Sequence, residues 1–182
     1  MIENWYPIQI YFHDNNENSQ EISEELIQVE RKIECFFEEN TWNDNVSTTF
    51  KTIDNVITKY NLMKFNRFIH LHVINYMEEL KIIPKTFYLK ESWFNTIKKY
   101  GYQDKHTHGP NMISGCYYYE DSNFKEEGII FYAKNSFGLE RDIYYPFVNN
   151  RLILFPGLLD HSVKYKKTEG IRKSISFNFI FT

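Results

Sequence analysis

Ile171-Arg172-Lys173-Ser174-Ile175-Ser176-Phe177-Asn178-Phe179-Ile180-Phe181 is the most regular alternation in the chain. Successive side chains of a strand point to opposite faces, so Ile171, Ile175, Phe177 and Phe179 share one face, with Lys173 its exception. The other face carries Arg172, Ser174, Ser176 and Asn178. Such a polar face meets either solvent or a cavity. Guanidinium and hydroxyl groups side by side, as on Arg172 and Ser174, form a pair suited to a carboxylate.

The histidines favour the cavity. In His106-Thr107-His108 two imidazoles stand at i and i+2, a spacing that aims both at one point when the backbone is extended. His161 follows the short apolar run Leu152 to Phe155, and Arg172 lies eleven residues further on. His70 and His72 have the same spacing but a different setting. Around them Phe65, Ile69, Val73, Tyr76 and Leu80 recur at helical intervals, so residues two apart diverge by roughly 200 degrees around the axis. His70, His72 and also His13 therefore read as ordinary half-buried side chains.

Working outward, Trp5 to His13 reads as a short strand and Asp14 to Gln20 as a polar lead into a helix. The buried stripe of that helix is Ile22, Leu26, Val29, Ile33 and Phe36. Glu39 to Ser47 reads as a loop, and Thr49 to Tyr60 mixes helical and β signals. A second helix is expected over Leu62 to Leu80, and Pro84 closes the helical half. From Lys85 short β signals repeat: Thr86 to Trp93, Thr107 to Tyr119, Gly128 to Ala133, Asp142 to Phe147, Arg151 to Phe155, His161 to Tyr165, and Ile171 to Thr182. The expectation is a mainly β fold, a sandwich or jelly roll with a helical support layer. It forms one domain over 1–182, with 1–84 as strand and helical support and 85–182 as the β core. On the strand Ser114, Cys116, Tyr118 the last is a further candidate for hydrogen bonding to the carboxylate.

Composition narrows the classes. Aromatics make up 18% of the 182 residues, which suits a sheet-rich interior, and Trp93 and the tyrosines read first as core. A net charge of -3 with scattered lysines argues against an extended nucleic-acid surface. The two cysteines, Cys35 and Cys116, lie far apart, which speaks against a disulfide framework and for a reducing compartment. No basic segment followed by an apolar run opens the chain, and no long apolar stretch interrupts it. A soluble, cytoplasmic protein without membrane contact is expected, and aromatic sheet edges leave room for a homodimer.

His106-Thr107-His108-Gly109-Pro110, Ser114-Gly115-Cys116-Tyr117-Tyr118, Leu154-Phe155-Pro156-Gly157 through Asp160-His161-Ser162-Val163, and Arg172-Lys173-Ser174-Ile175-Ser176-Phe177-Asn178 occur in that order. From Ser92 onward this set resembles the 2-oxoglutarate- and Fe(II)-dependent oxygenases, and more narrowly a small bacterial and phage group among them. The resemblance implies a cupin-like double-stranded β-helix with Fe(II) near its open end. It gives His106 and His161 the two histidine ligand places, Arg172 the salt bridge to the distal carboxylate of 2-oxoglutarate, and Ser174 the companion contact. Tyr118 falls where the prolyl-hydroxylase-like branch has a carboxylate-binding tyrosine. The implied reaction couples oxidative decarboxylation of 2-oxoglutarate by O2 to C–H oxidation, typically hydroxylation.

One position departs from the pattern. Most members carry a carboxylate two residues after the first histidine, completing a 2-His-1-carboxylate triad, and this chain has His108. His108 is the favoured third ligand, with Asp104 and Asp160 as the carboxylates nearest in sequence. Three protein ligands leave room for 2-oxoglutarate and O2 around an octahedral metal. Two other classes stay open: a three-histidine cupin-type dioxygenase that needs no 2-oxoglutarate, and a non-catalytic metal-binding jelly-roll module. The primary substrate is not readable, although a protein side chain or small molecule is favoured over nucleic acid.

Overall fold

The alternating C-terminal stretch becomes β11 (Arg172–Phe181), which pairs antiparallel with β4 (Phe87–Ile97) on one side and β6 (Met112–Asp121) on the other. The computed structural model describes residues 8–40, 45–121, 128–134 and 137–182. β1 (Tyr11–Asp14), β2 (Glu38–Asn40), β3 (Val46–Thr48) and β9 (Arg151–Pro156) complete a seven-stranded sheet in the order β1-β9-β6-β11-β4-β3-β2. A second sheet contains β5 (Gln103–His106), β7 (Gly128–Lys134), β8 (Glu140–Pro146) and β10 (Asp160–Val163), in the order β5-β10-β7-β8. The large sheet is covered on both faces. Helices α1 (Ser19–Lys32) and α3 (Met63–Glu79), with the short α2 (Val56–Lys59), pack Leu26, Phe65, Ile69 and Val73 against Tyr117, Ile175, Phe177 and Phe179. The opposite face meets the small sheet through Cys116, Tyr118, Ile129, Phe131, Ile153 and Phe155. Two facing antiparallel sheets with helices on one outer side form the expected jelly roll.

This layering explains the sequence pattern. In β9 the run Leu152-Ile153-Leu154-Phe155 is apolar throughout because Leu152 and Leu154 face the helices while Ile153 and Phe155 face the other sheet. Lys173, the exception on the apolar face of β11, meets Glu30 of α1 at 3.2 Å and Glu120 at 2.9 Å. Burial pushes the Glu30 carboxyl up, and Lys173 counters that shift.

Several boundaries differ from the sequence expectation. The region expected as a loop, Glu39 to Ser47, holds most of β2 and β3, strands of three residues too short and polar to show alternation. The ambiguous segment contains only α2, whose N-cap Asn55 accepts from the Thr58 N–H at 3.0 Å and from Ser92 Oγ at 2.8 Å. The strand expected over Thr107 to Tyr119 begins at Met112, and β5, which was not expected, ends at His106. Between them Pro110 lacks a backbone donor and Asn111 has a φ of 54°, so the extended pairing breaks there. Trp5 to Pro7, the start of the expected first strand, lie outside the described residues. Among the described residues, no helix is long and apolar enough to cross a membrane.

Candidate metal centre

His106 closes β5, His161 is the second residue of β10, and the register sets the two opposite each other. Their ring centroids are 4.3 Å apart. His108 lies beyond the end of β5, yet its ring centroid comes within 5.5 Å of His106 and 5.0 Å of His161. Its loop is held by backbone contacts: the His108 N–H donates to Gly157 O and the Gly157 N–H donates to Met112 O, both at 2.8 Å. A Cβ at Gly157 would sit 2.7 Å from Gly109 O and 2.8 Å from Met112 Cβ, so only glycine lets the two loops approach so closely. One ring nitrogen from each histidine lies within 4.8 Å of the others.

Hydrogen bonds orient two of the rings. His106 Nδ1 lies 2.7 Å from Asp104 O, and His161 Nδ1 lies 2.9 Å from Leu159 O. A carbonyl can only accept, so each Nδ1 carries the hydrogen and each Nε2 keeps its lone pair. Burial drives the His161 value well below 6.5, and the neighbouring His106 and His108 lower it further. Burial, then His106, brings His108 to about 4. Both rings are therefore neutral near pH 7, the form that ligates a metal.

The same pocket carries Arg172, Ser174 and Tyr118 in its wall. Ser174 pairs with Tyr118 across β11 and β6, and the buried Arg172 guanidinium lies 3.9 Å over the Phe147 ring. The Cys116 S–H donates to Tyr118 Oη at 3.1 Å. Burial pushes the Cys116 thiol up to about 12 and the Tyr118 phenol well above 10.0. Tyr118 therefore keeps a hydroxyl hydrogen to donate. Trp93, Phe147 and Phe155 supply the apolar walls, so Trp93 lines the pocket as well as packing in the sheet.

All six residues singled out in the sequence thus meet in one cavity. Asp160 turns away and pairs with Lys105 at 3.5 Å, while Asp104 gives its backbone carbonyl to His106. His13 and His72 stack on the helix side, with ring centroids 4.0 Å apart. Sequence reasoning missed Gly157, for which the Pro156-Gly157 turn was a signal. It also missed the partners of His108, described below, because Glu91 and Asn178 are 87 positions apart and nothing local links them.

Residues 91–178 match the family described as "Putative 2OG-Fe(II) oxygenase". No curated protein matches the chain. Solved structures with the same fold include a prolyl-4-hydroxylase from Pseudomonas putida, 13% identical, with a TM-score of 0.60 over 96% of this chain and 92% of that one. The non-haem α-ketoglutarate-dependent epimerase SnoN from nogalamycin biosynthesis, 12% identical, superposes with a TM-score of 0.72 over 95% of this chain and 78% of its own. HygX from Streptomyces hygroscopicus, crystallised with nickel and 2-oxoglutarate, is 13% identical and has a TM-score of 0.61, covering 95% and 83%. Residues 91–178 are thus similar in sequence to 2-oxoglutarate- and Fe(II)-dependent oxygenases, and the jelly roll is the fold of the solved structures above. Three converging imidazoles are a donor set that suits a divalent transition metal such as Fe(II).

Proposed function

We propose that this chain is an Fe(II)- and 2-oxoglutarate-dependent oxygenase of the hydroxylase type, acting as a single domain over 1–182. His106, His108 and His161 hold the metal, and Arg172, Ser174 and Tyr118 receive the distal carboxylate of 2-oxoglutarate. The observation that carries this reading is one cavity with three converging imidazoles and a guanidinium-hydroxyl set in the same walls.

Bound Fe(II) with 2-oxoglutarate and O2 would supply the oxidising power for C–H oxidation, released by decarboxylation of the cosubstrate to succinate. The residues do the rest by placement. Arg172 offers two N–H donors to a carboxylate in a low-dielectric wall, where a charge-assisted pair is stronger than in water. Ser174 and Tyr118 donate beside it and fix the end-on position of a short dicarboxylate. Phe147, Phe155 and Trp93 keep water from the reacting centre. A protein side chain or small molecule fits as primary substrate better than nucleic acid, given the net charge of -3.

Anaerobic addition of Fe(II) and then 2-oxoglutarate tests the proposal. A visible metal-to-ligand charge-transfer band is expected, and its absence from folded, iron-loaded protein would overturn the chelation geometry. Turnover without 2-oxoglutarate would instead favour a cupin-type dioxygenase, to which the third histidine also points.

A further inference from the structure

The three histidines are not held alike. His106 and His161 each direct Nδ1 at a carbonyl, whereas His108 Nδ1 lies 3.3 Å from the amide nitrogen of Asn178. The orientation of that amide follows from its other partners. Ser114 Oγ donates to Asn178 Oδ1 at 2.7 Å, and Asn178 Nδ2 donates to Glu91 Oε1 at 2.7 Å. A carboxylate can only accept, so Nδ2 must face Glu91, and its second hydrogen faces His108. Ser114 and Asn178 are fully enclosed, which leaves no water to take over either contact.

A neutral imidazole has one N–H and one lone pair. If Nδ1 of His108 accepts from Asn178, its hydrogen sits on Nε2, opposite to the arrangement in His106 and His161. Offering an Nε2 lone pair then requires the ring hydrogen to move to Nδ1 and the amide to turn over, so that Asn178 Oδ1 can accept it. Turning the amide would place Oδ1 against Glu91 Oε1, two acceptors at hydrogen-bond distance. The charge on Glu91 opposes that turn.

From this we infer that Glu91, acting through Asn178, is a positioning residue that locks His108 in the tautomer opposite to its two neighbours, making His108 the weakly committed third ligand of the centre. The inference rests on the metal-site reading of the three histidines. It assigns the departure from the usual carboxylate to a hydrogen-bonded device 87 positions long in sequence. A glutamine at position 91 can donate as well as accept, so it tolerates both amide orientations and releases the lock while keeping the contact.

Long-range proton-nitrogen NMR of the metal-free, histidine-labelled chain reads the tautomers directly. His108 is expected to show an unprotonated Nδ1 and a protonated Nε2, with His106 and His161 reversed. A protonated Nδ1 on all three would overturn the inference without touching the oxygenase reading, which the charge-transfer band tests separately. Titration with Co(II), followed by its visible absorption, gives the second arm. Glu91→Gln should tighten Co(II) binding about tenfold, at the low end of what outer partners of metal ligands contribute. Its tautomer signals should also shift toward a protonated Nδ1 on His108. Unchanged or weaker Co(II) binding in folded Glu91→Gln protein would overturn the lock. Glu91→Asp, which retains a pure acceptor, should stay near the starting affinity, and a tenfold gain there would equally count against it.

Discussion

The chain holds two groups of buried or half-buried histidines on opposite faces of the same large sheet, and their difference shows what sets a candidate metal centre apart. On the helix side His13 and His72 stack at 4.0 Å, and His72 Nδ1 shares a hydrogen with Tyr11 Oη at 2.8 Å. Phe68 closes edge-on over His72 at 4.6 Å. These rings lie against other rings, and Tyr11 takes up His72 Nδ1. On the pocket side the backbone carbonyls two residues before His106 and His161 take up Nδ1, leaving Nε2 to face the cavity. Burial lowers the protonation of His72 to about 4, as it does for His108, so a depressed value alone does not mark a ligand. What separates the groups is whether lone pairs converge on open space.

The sharpest way to break this comparison is to remove one histidine from each group. His161→Ala should weaken Co(II) or Fe(II) binding by more than about 100-fold, beyond the 10- to 100-fold cost of losing an outer partner. His72→Ala should leave metal stoichiometry intact and cost stability instead, since it opens a hole against Phe68 and Tyr11. Metal content after reconstitution and a urea midpoint measure both. Equal metal loss in the two variants would erase the distinction.

The next effect concerns the other end of the pocket. Arg172→Ala should weaken 2-oxoglutarate binding by about 2–3 kcal/mol, roughly 30- to 150-fold, as expected for loss of charge-assisted hydrogen bonds. Metal affinity without 2-oxoglutarate should stay within a few-fold, because Arg172 enters the pocket from β11 and the three histidines come from β5, β10 and the loop after β5. Parallel loss of both would contradict the assigned roles.

A smaller effect follows from protonation. The folded value of His72 is about 4 against 6.5 ordinarily, so between those limits the unfolded chain takes up a proton that the folded chain refuses. The stability it contributes is present above about 6.5 and is lost as the pH falls toward 4. His72→Phe should flatten part of that decline in the metal-free chain, measured as urea midpoint against pH. An identical slope in both proteins would show that the helix-side ring carries none of it.

Much of this was legible in the chain. Alternation in β11 separated Phe177 and Phe179 from Arg172 and Ser174 because each face of that strand has a constant environment, one helix-packed and one lining a cavity. Helical periodicity around His70 and His72 correctly set them apart from the site. The strand argument for His106 and His108 reached the right convergence by a partly different route. His108 leaves the sheet after His106 and is returned to the cavity by the Gly157 clamp, a tertiary contact whose one local sign is the Pro156-Gly157 turn. Short strands such as Glu38–Asn40 have too few residues for alternation to register. Outer partners such as Glu91 become neighbours of Asn178 only once β4 and β11 pair.

The smallest expected effect isolates one hydrogen bond on the helix side. Tyr11→Phe removes the hydroxyl that meets His72 Nδ1 but keeps the ring that packs 5.8 Å from both His72 and Tyr76. A single neutral hydrogen bond is worth about 1 kcal/mol net, so the variant should lose roughly that much stability. Metal and 2-oxoglutarate binding should not change, because Tyr11 packs on the helix-side face of the sheet, away from the pocket. A drop in metal affinity in Tyr11→Phe would mean that the two faces of the sheet are coupled through β9. The histidine groups would then have to be treated as one network instead of two.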